Sequence, residues 1–232
     1  MDFLKRLSNP WIKYPLIVLA GLVVLVGIAA VSLYYAVNVK PKFYKTALMV
    51  SKDELVVYGK QAVKKTEDSL KKISPYNPTW EMELTEDEIN GYIAEELKKT
   101  GASIFPKEIR DPRFSLNNGK VDFACIVETG NVGGVLNMNL DIRFPDENRC
   151  EITFHETHLG VVPFSKEKFC ELLAGSLRKS GTTVEMRKNG SNPVLSISFQ
   201  ISYEKDYELL FQGLNINQKT LTLSGAAKRK SR

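Results

Sequence analysis

Three rhythms of hydrophobic and polar positions divide the chain. From Tyr14 to Val39 no residue is charged, and "PLIVLAGLVVLVGIAAVSLYYAV" is apolar on every side. A helix of roughly 20 such residues crosses the hydrocarbon of a bilayer. Residues 15–39 are therefore expected to be a transmembrane helix behind a short N-terminal tail, residues 1–14. A cleaved signal peptide is the competing reading, but its apolar stretch is usually about 7–15 residues, followed by small residues. Here the run is longer and ends in Tyr34, Tyr35 and Lys40-Pro41-Lys42, with Trp11 and Tyr14 at its start. Aromatic rings at both ends suit the two interfaces of a bilayer.

The second rhythm is helical. Residues 41–75 are rich in lysine, with Leu48, Leu55 and Ala62 seven apart, and read as a helical stalk or a helix packed on the domain. Pro75 and Pro78 end it. In "WEMELTEDEINGYIAEEL" (residues 80–97) Trp80, Met82 and Leu84 alternate like a strand, then Thr85 and Glu88 form a T-x-x-E capping box. Ile89, Tyr92, Ile93 and Leu97 follow at helical spacing, and Gly101 offers a C-cap. "PFSKEKFCELLAGSLRKSG" reads as another amphipathic helix, capped by Ser165, striped by Phe169, Leu172, Leu173 and Leu177, and ended by Gly181.

The third rhythm has period two. Val121, Phe123, Cys125 and Val127 alternate with Asp122, Ala124, Ile126 and Glu128. Leu136, Met138, Leu140, Ile142 and Phe144 alternate with polar neighbours. "ETGNVGG" and "PDENR" read as hairpin connections, Cys150, Ile152 and Phe154 as the start of a third strand, and "VLSISFQISY" as a further single strand. A short helix around 204–212 and a last strand near "KTLTLSG" are expected to close the domain. The fold class is α+β: an N-terminal transmembrane helix and helical stalk, then a curved antiparallel sheet packed on two amphipathic helices, over residues 80–225.

Charge changes little in this picture. The net charge of +5 comes partly from the tail, residues 226–232, where Lys228, Arg229, Lys230 and Arg232 cluster. That tail reads as basic and disordered, or as a membrane-surface contact. Nucleic-acid binding is not expected, since no basic stripe with interleaved aromatics appears. Lys5, Arg6 and Lys13 before the apolar run are matched by Lys40, Lys42, Lys45 and Lys52 after it. The positive-inside rule is then nearly silent, and the common signal-anchor layout favours an extracytoplasmic C-terminal domain.

Candidate chemistry is sparse. His155, Glu156 and His158 in "HETH" are spaced three apart on an expected strand, where residues 155 and 158 face opposite sides, so no metal site is expected. Ser176 is not in a G-x-S-x-G elbow, the glycines of "TGNVGG" form no phosphate loop, and no cofactor motif occurs. Glu86, Asp87 and Glu88 suit the first turn of a helix better than a paired-acid site. Asn189-Gly190-Ser191 is first a turn. Cys125, Cys150 and Cys170 lack metal or redox spacing; Cys125 and Cys150 are expected as buried small hydrophobes, with a disulfide left open. Nothing supports an enzyme.

The order of apolar segment, "LTEDEIN" helix, strand meander and "THLGVVPFSKEKFCELL" resembles the YpmS-like bacterial proteins, over residues 80–180. Those are single-pass membrane proteins with an extracytoplasmic domain, similar to tubular lipid-binding domains, in which a curved sheet wraps a helix around an apolar trough. The resemblance implies ligand-binding positions at Leu84, Ile89, Tyr92 and Ile93 of the first helix region and Phe164, Phe169 and Leu173 of the second. It implies a membrane-anchored, non-enzymatic domain at the cell envelope that binds lipid or another hydrophobic ligand. The alternative is an anchored scaffold docking an envelope protein partner. A continuous apolar cavity would favour the first, a filled core with an exposed apolar strip the second, and a cleft with converging polar groups of perturbed pKa an envelope hydrolase.

Overall fold

The computed structural model describes residues 10–74, 76–96, 105, 106, 108–129, 132–203 and 207–230; in its first helix, side chains are described from Leu22 onward. That helix, α1, spans Pro10–Val37. Leu22 to Val26, Ile28, Val31 and Leu33 all present their side chains outward, each more than half exposed. Among the described residues, no helix is long and apolar enough to cross a membrane.

A short helix and a longer one follow. In α2 (Lys42–Ala47), Tyr44 is fully buried and donates its hydroxyl to the Asp111 carbonyl at 3.0 Å. Burial, then the Asp111 carboxylate, raise its pKa well above the phenol range. Helix α3 (Lys52–Lys71) opens with a full capping box between Ser51 and Glu54. It is no free stalk. It lies across α4 (Glu86–Gly91), and the crossing is tight because a Cβ on Gly91 would fall 2.6 Å from the Gly59 amide nitrogen. Lys65 reaches from α3 to Glu88 at 2.8 Å. Of the two readings of this lysine-rich segment, packing on the domain is the one found.

The expected strand-to-helix switch is present. Strand β1 (Thr79–Thr85) runs into α4, with the Glu88 amide donating to the Thr85 hydroxyl and the Thr85 amide donating to Glu88 at 2.8 Å. The helix continues as a wider turn over Tyr92–Glu96; Leu97 and Gly101 lie outside the described residues. Asn90 is buried and bonds both backbone groups of Phe114, tying the helix to the next strand.

The strands form two antiparallel sheets, where one curved sheet was expected. The larger has the order β2 (Ile109–Asn117), β3 (Lys120–Thr129), β4 (Val132–Asp146), β5 (Arg149–Leu159), β8 (Asn192–Ser198), β7 (Thr183–Asn189), with β6 (Val162–Pro163) paired to β5. The smaller has the order β1, β11 (Thr220–Arg229), β10 (Tyr207–Asn217), β9 (Ile201–Tyr203). "VLSISFQISY" is therefore not one strand. The chain leaves the large sheet after Ser198 and joins the small one at Ile201, because Phe199 turns onto Phe144 and Phe211 rather than following the alternation.

Three further expectations change. Residues 207–212 are strand, not helix, held by antiparallel pairing to β9 and β11; 204–206 lie outside the described residues. The 226–229 part of the basic tail is ordered as the end of β11, with Ala227 buried and its amide donating to Pro78. Gly133 and Gly134 belong to β4, so the hairpin connection shrinks to 130 and 131, outside the described residues.

The apolar face of β3, β4 and β5 meets α5 (Lys166–Lys179) in a filled core: Phe123, Cys125, Leu136, Met138, Phe154, Phe169, Cys170 and Leu195 are buried together. Ile216 of the small sheet closes it. Cys125, Cys150 and Cys170 are free thiols, so the Cys125–Cys150 disulfide is not formed. Burial pushes Cys170 up to about 11 and Cys150 to about 12.

Candidate binding groove beside the first helix

The seven positions expected to line a trough do not converge on an empty space. Phe169 is buried in the main core, with Ile89 and Leu173 packed against that same core. Leu84 is half-buried and pairs across the small sheet with Leu221. Ile93 is half-buried on the wider turn, while Tyr92 and Phe164 are exposed, 38% and 37%. Three of the seven thus meet in packed side chains, and Phe164 stands at the edge of a different feature.

That feature is a groove of about 810 Å³, lined by Lys120, Asn139, Asp141, His155, Glu156, His158, Phe164, Lys166 and Asn192 among others. A β-bulge builds it. Met138 pairs with Thr157 and Leu140 with Phe154, so Asn139 faces two residues of β5, His155 and Glu156. The extra residue resets the alternation, and His155 and His158, expected on opposite faces, line the same groove. Strict period two held through His155 and failed between it and Thr157.

A hydrogen-bonded chain fixes the groove's centre. Lys166 donates to the Asn192 Oδ1 at 2.6 Å, so the Asn192 amide nitrogen faces His155 Nδ1 at 3.1 Å as donor. Nδ1 is then an acceptor, and Nε2 carries the hydrogen donated to Asp141 at 2.6 Å. Both imidazole nitrogens are engaged. Lys166 stands in the first turn of α5, behind Ser165, whose hydroxyl accepts from the Lys168 amide at 3.3 Å and caps the helix as expected. Thr157, also in the lining, has a buried hydroxyl with no partner among the described residues. Among the described residues no cluster of His, Cys, Asp and Glu could hold a metal ion.

The groove abuts the end of α1. His158 pairs with Pro163, and the Phe164 amide donates to the Thr157 carbonyl at 2.9 Å, which folds β6 back along β5. At the tip of that hairpin the Val161 amide donates to Ala36 at 3.0 Å. Gly160 has φ +62°, and a Cβ there would lie 1.9 Å from the Ala36 oxygen. The last turn of α1 therefore rests directly on the hairpin, with Val37 buried beneath it.

A second charged constellation lies on the same sheet. Glu151 is fully buried, and Arg143, Arg149 and Arg187 all pair with it. Burial alone would raise its pKa, but the guanidiniums of Arg143 and Arg187 outweigh that and hold it below the usual carboxylate range. Sequence reading passed over Glu151 because an alternating strand shows polar residues on its wet face without showing which one is covered. Two further cavities, about 860 Å³ beside Glu147 and Thr182 and about 500 Å³ beside Ser69 and Glu81, are open and polar-rimmed. No protein-family model, curated protein or solved structure matches the chain.

Proposed function

We propose that the chain is a single-pass, membrane-anchored, non-enzymatic domain of the cell envelope that binds lipid at the bilayer surface, with the groove around His155 as its headgroup site. The observation that carries this reading is the junction. A helix that exposes Leu22 to Leu33 ends within one hydrogen bond of the hairpin that forms the groove's edge. Exposed apolar side chains in such a row need a cover, and the uncharged run extends upstream in the sequence to Tyr14. The resemblance to YpmS-like proteins over residues 80–180 points the same way.

The filled core leaves no interior trough for an acyl chain, so the lipid reading is confined to a headgroup held in the surface groove. Lys120 and Lys166 offer cations and Asp141 and Glu156 carboxylates within one groove. A zwitterionic headgroup, with its phosphate and its amine, is complementary to both.

The test is native mass spectrometry of the full chain released from phosphatidylethanolamine nanodiscs. Stoichiometric phospholipid retained by the parent and lost in Lys166→Glu supports the groove; a parent that leaves the disc bare sinks it. That second outcome favours the other reading, an anchored scaffold docking an envelope protein partner. It has its own support in the filled core and in edge strand β7, whose outer side has no partner strand among the described residues.

A further inference from the structure

We infer that the hairpin Leu159–Phe164 is itself a membrane-contact element: Val161 and Phe164 enter the headgroup–acyl boundary beside α1 and fix the tilt of the domain over the bilayer. The inference rests on the anchor reading above and deepens it: the hairpin that edges the groove is assigned a contact of its own with the bilayer. Val161 is 59% exposed and Phe164 37%, two large apolar side chains at the tip and base of one tight hairpin. Neither has a core to enter. What stands beside them is the end of an exposed apolar helix, and that continuity names the occupant as lipid.

Depth follows from helix geometry. Tyr34 and Tyr35 are exposed one or two residues before Ala36, whose carbonyl accepts the Val161 amide. At 1.5 Å per residue plus the 3.0 Å hydrogen bond, Val161 lies within about two helical turns of the two tyrosines along the helix axis. Tyrosine rings at the end of an apolar span favour the headgroup level. Val161 is then held at that level too. The helix end and the sheet approach closely at two places: Gly160 has no room for a Cβ against Ala36, and a Cβ on Gly134 would meet the Val37 oxygen at 2.9 Å. The hairpin itself is tied to β4, where the Gly160 amide donates to Val135 at 2.6 Å. Pro163 stiffens the returning strand and leaves no amide hydrogen to desolvate. Lys40 and Lys42, just past the helix, lie where lipid phosphates are found.

Nitroxide labels in the full chain, reconstituted in phosphatidylcholine–phosphatidylglycerol vesicles, read this directly. Cysteines are introduced one at a time as Val161→Cys, Phe164→Cys, Leu25→Cys and Leu172→Cys, the last on an exposed part of α5. The unsubstituted chain supplies the blank for native thiols. The ratio of collisions with oxygen to collisions with a water-soluble nickel chelate is expected to be several-fold higher at 161 and 164 than at 172, and highest at 25. A lipid-like value at 25 with water-like values at 161 and 164 overturns the hairpin contact and leaves the anchor standing. Water-like values at 25 as well overturn both.

Discussion

The Val161 amide and the Ala36 carbonyl are 3.0 Å apart, so the turn that follows β5 is welded to the last turn of the apolar helix. Gly160 makes this possible. Alanine there meets two costs: roughly 1 kcal/mol for a left-handed backbone, and a clash with a backbone oxygen 1.9 Å away that no rotamer can relieve. Gly160→Ala is expected to lower stability by at least about 2 kcal/mol or to open the junction. Urea unfolding of the full chain in detergent, with limited proteolysis around residues 38–42, separates the two. Gly175→Ala is the control. It sits in α5 with nothing within 4 Å of a new Cβ, and a mid-helix alanine should stabilise by about 0.5–1 kcal/mol.

The crossing of α3 and α4 gives a second backbone-limited site. A Cβ on Gly91 would meet the Gly59 nitrogen and the Leu55 oxygen, both at 2.6 Å, and neither can move without moving α3. Gly91→Ala gains helix propensity worth about 1 kcal/mol and loses more to overpacking, typically 1–3 kcal/mol. A net loss in thermal midpoint is the expected result. A gain would mean that α3 yields, and that its packing on the domain is loose.

Glu88 and Glu151 set an acid limit on the fold. For each, burial opposes ionisation, but the Lys65 ammonium and Thr85 amide at Glu88, and the Arg143 and Arg187 guanidiniums at Glu151, outweigh it. Both folded values lie below the unfolded carboxylate value of about 4.3. Each group therefore contributes stability that is fully present above that value and is lost as pH falls through the folded one. Denaturant midpoints should be flat at neutral pH and drop once the medium is more acid than about pH 4. Glu151→Gln should flatten part of that drop. It should also cost about 2–3 kcal/mol at neutral pH, less than the 3–5 of a fully buried pair, because Arg143 and Arg187 are half exposed and can turn to water.

What was legible in the sequence was what neighbours along the chain decide. Thr85 with Glu88, Ser165 with Lys168, and the alternation through Phe123 and Leu136 each rest on contacts a few residues apart or on one repeating face. The misses arise where a distant partner decides. Residues 207–212 look helical alone but pair with β11, and Ala227 is ordered because Pro78 accepts its amide. The groove was hidden for a sharper reason: one extra residue opposite Asn139 reverses the facing of β5 from Thr157 onward. The resemblance to tubular lipid-binding domains implied a trough along Phe164, Phe169 and Leu173, whereas Phe169 and Leu173 belong to the packed core and Phe164 stands at the edge of the groove.

The bridge from Lys166 through Asn192 and His155 to Asp141 makes the groove testable apart from the fold. Asn192→Ala removes one donor and one acceptor, freeing His155 Nδ1 and the Lys166 ammonium. Both groups reach solvent, so the loss should be about 1 kcal/mol rather than the full penalty of a buried unsatisfied group. Lys120→Ala changes a rim residue with no ion pair among the described residues and should stay within about 0.5 kcal/mol of the parent. If the groove holds a zwitterionic headgroup, both variants retain less phospholipid in native mass spectra, although only one is destabilised. Equal retention in both would show that the network is a structural brace and that lipid, where bound, sits elsewhere. Loss in Asn192→Ala alone would tie retention to the ordered His155–Asp141 pair, and place Lys120 outside the contact.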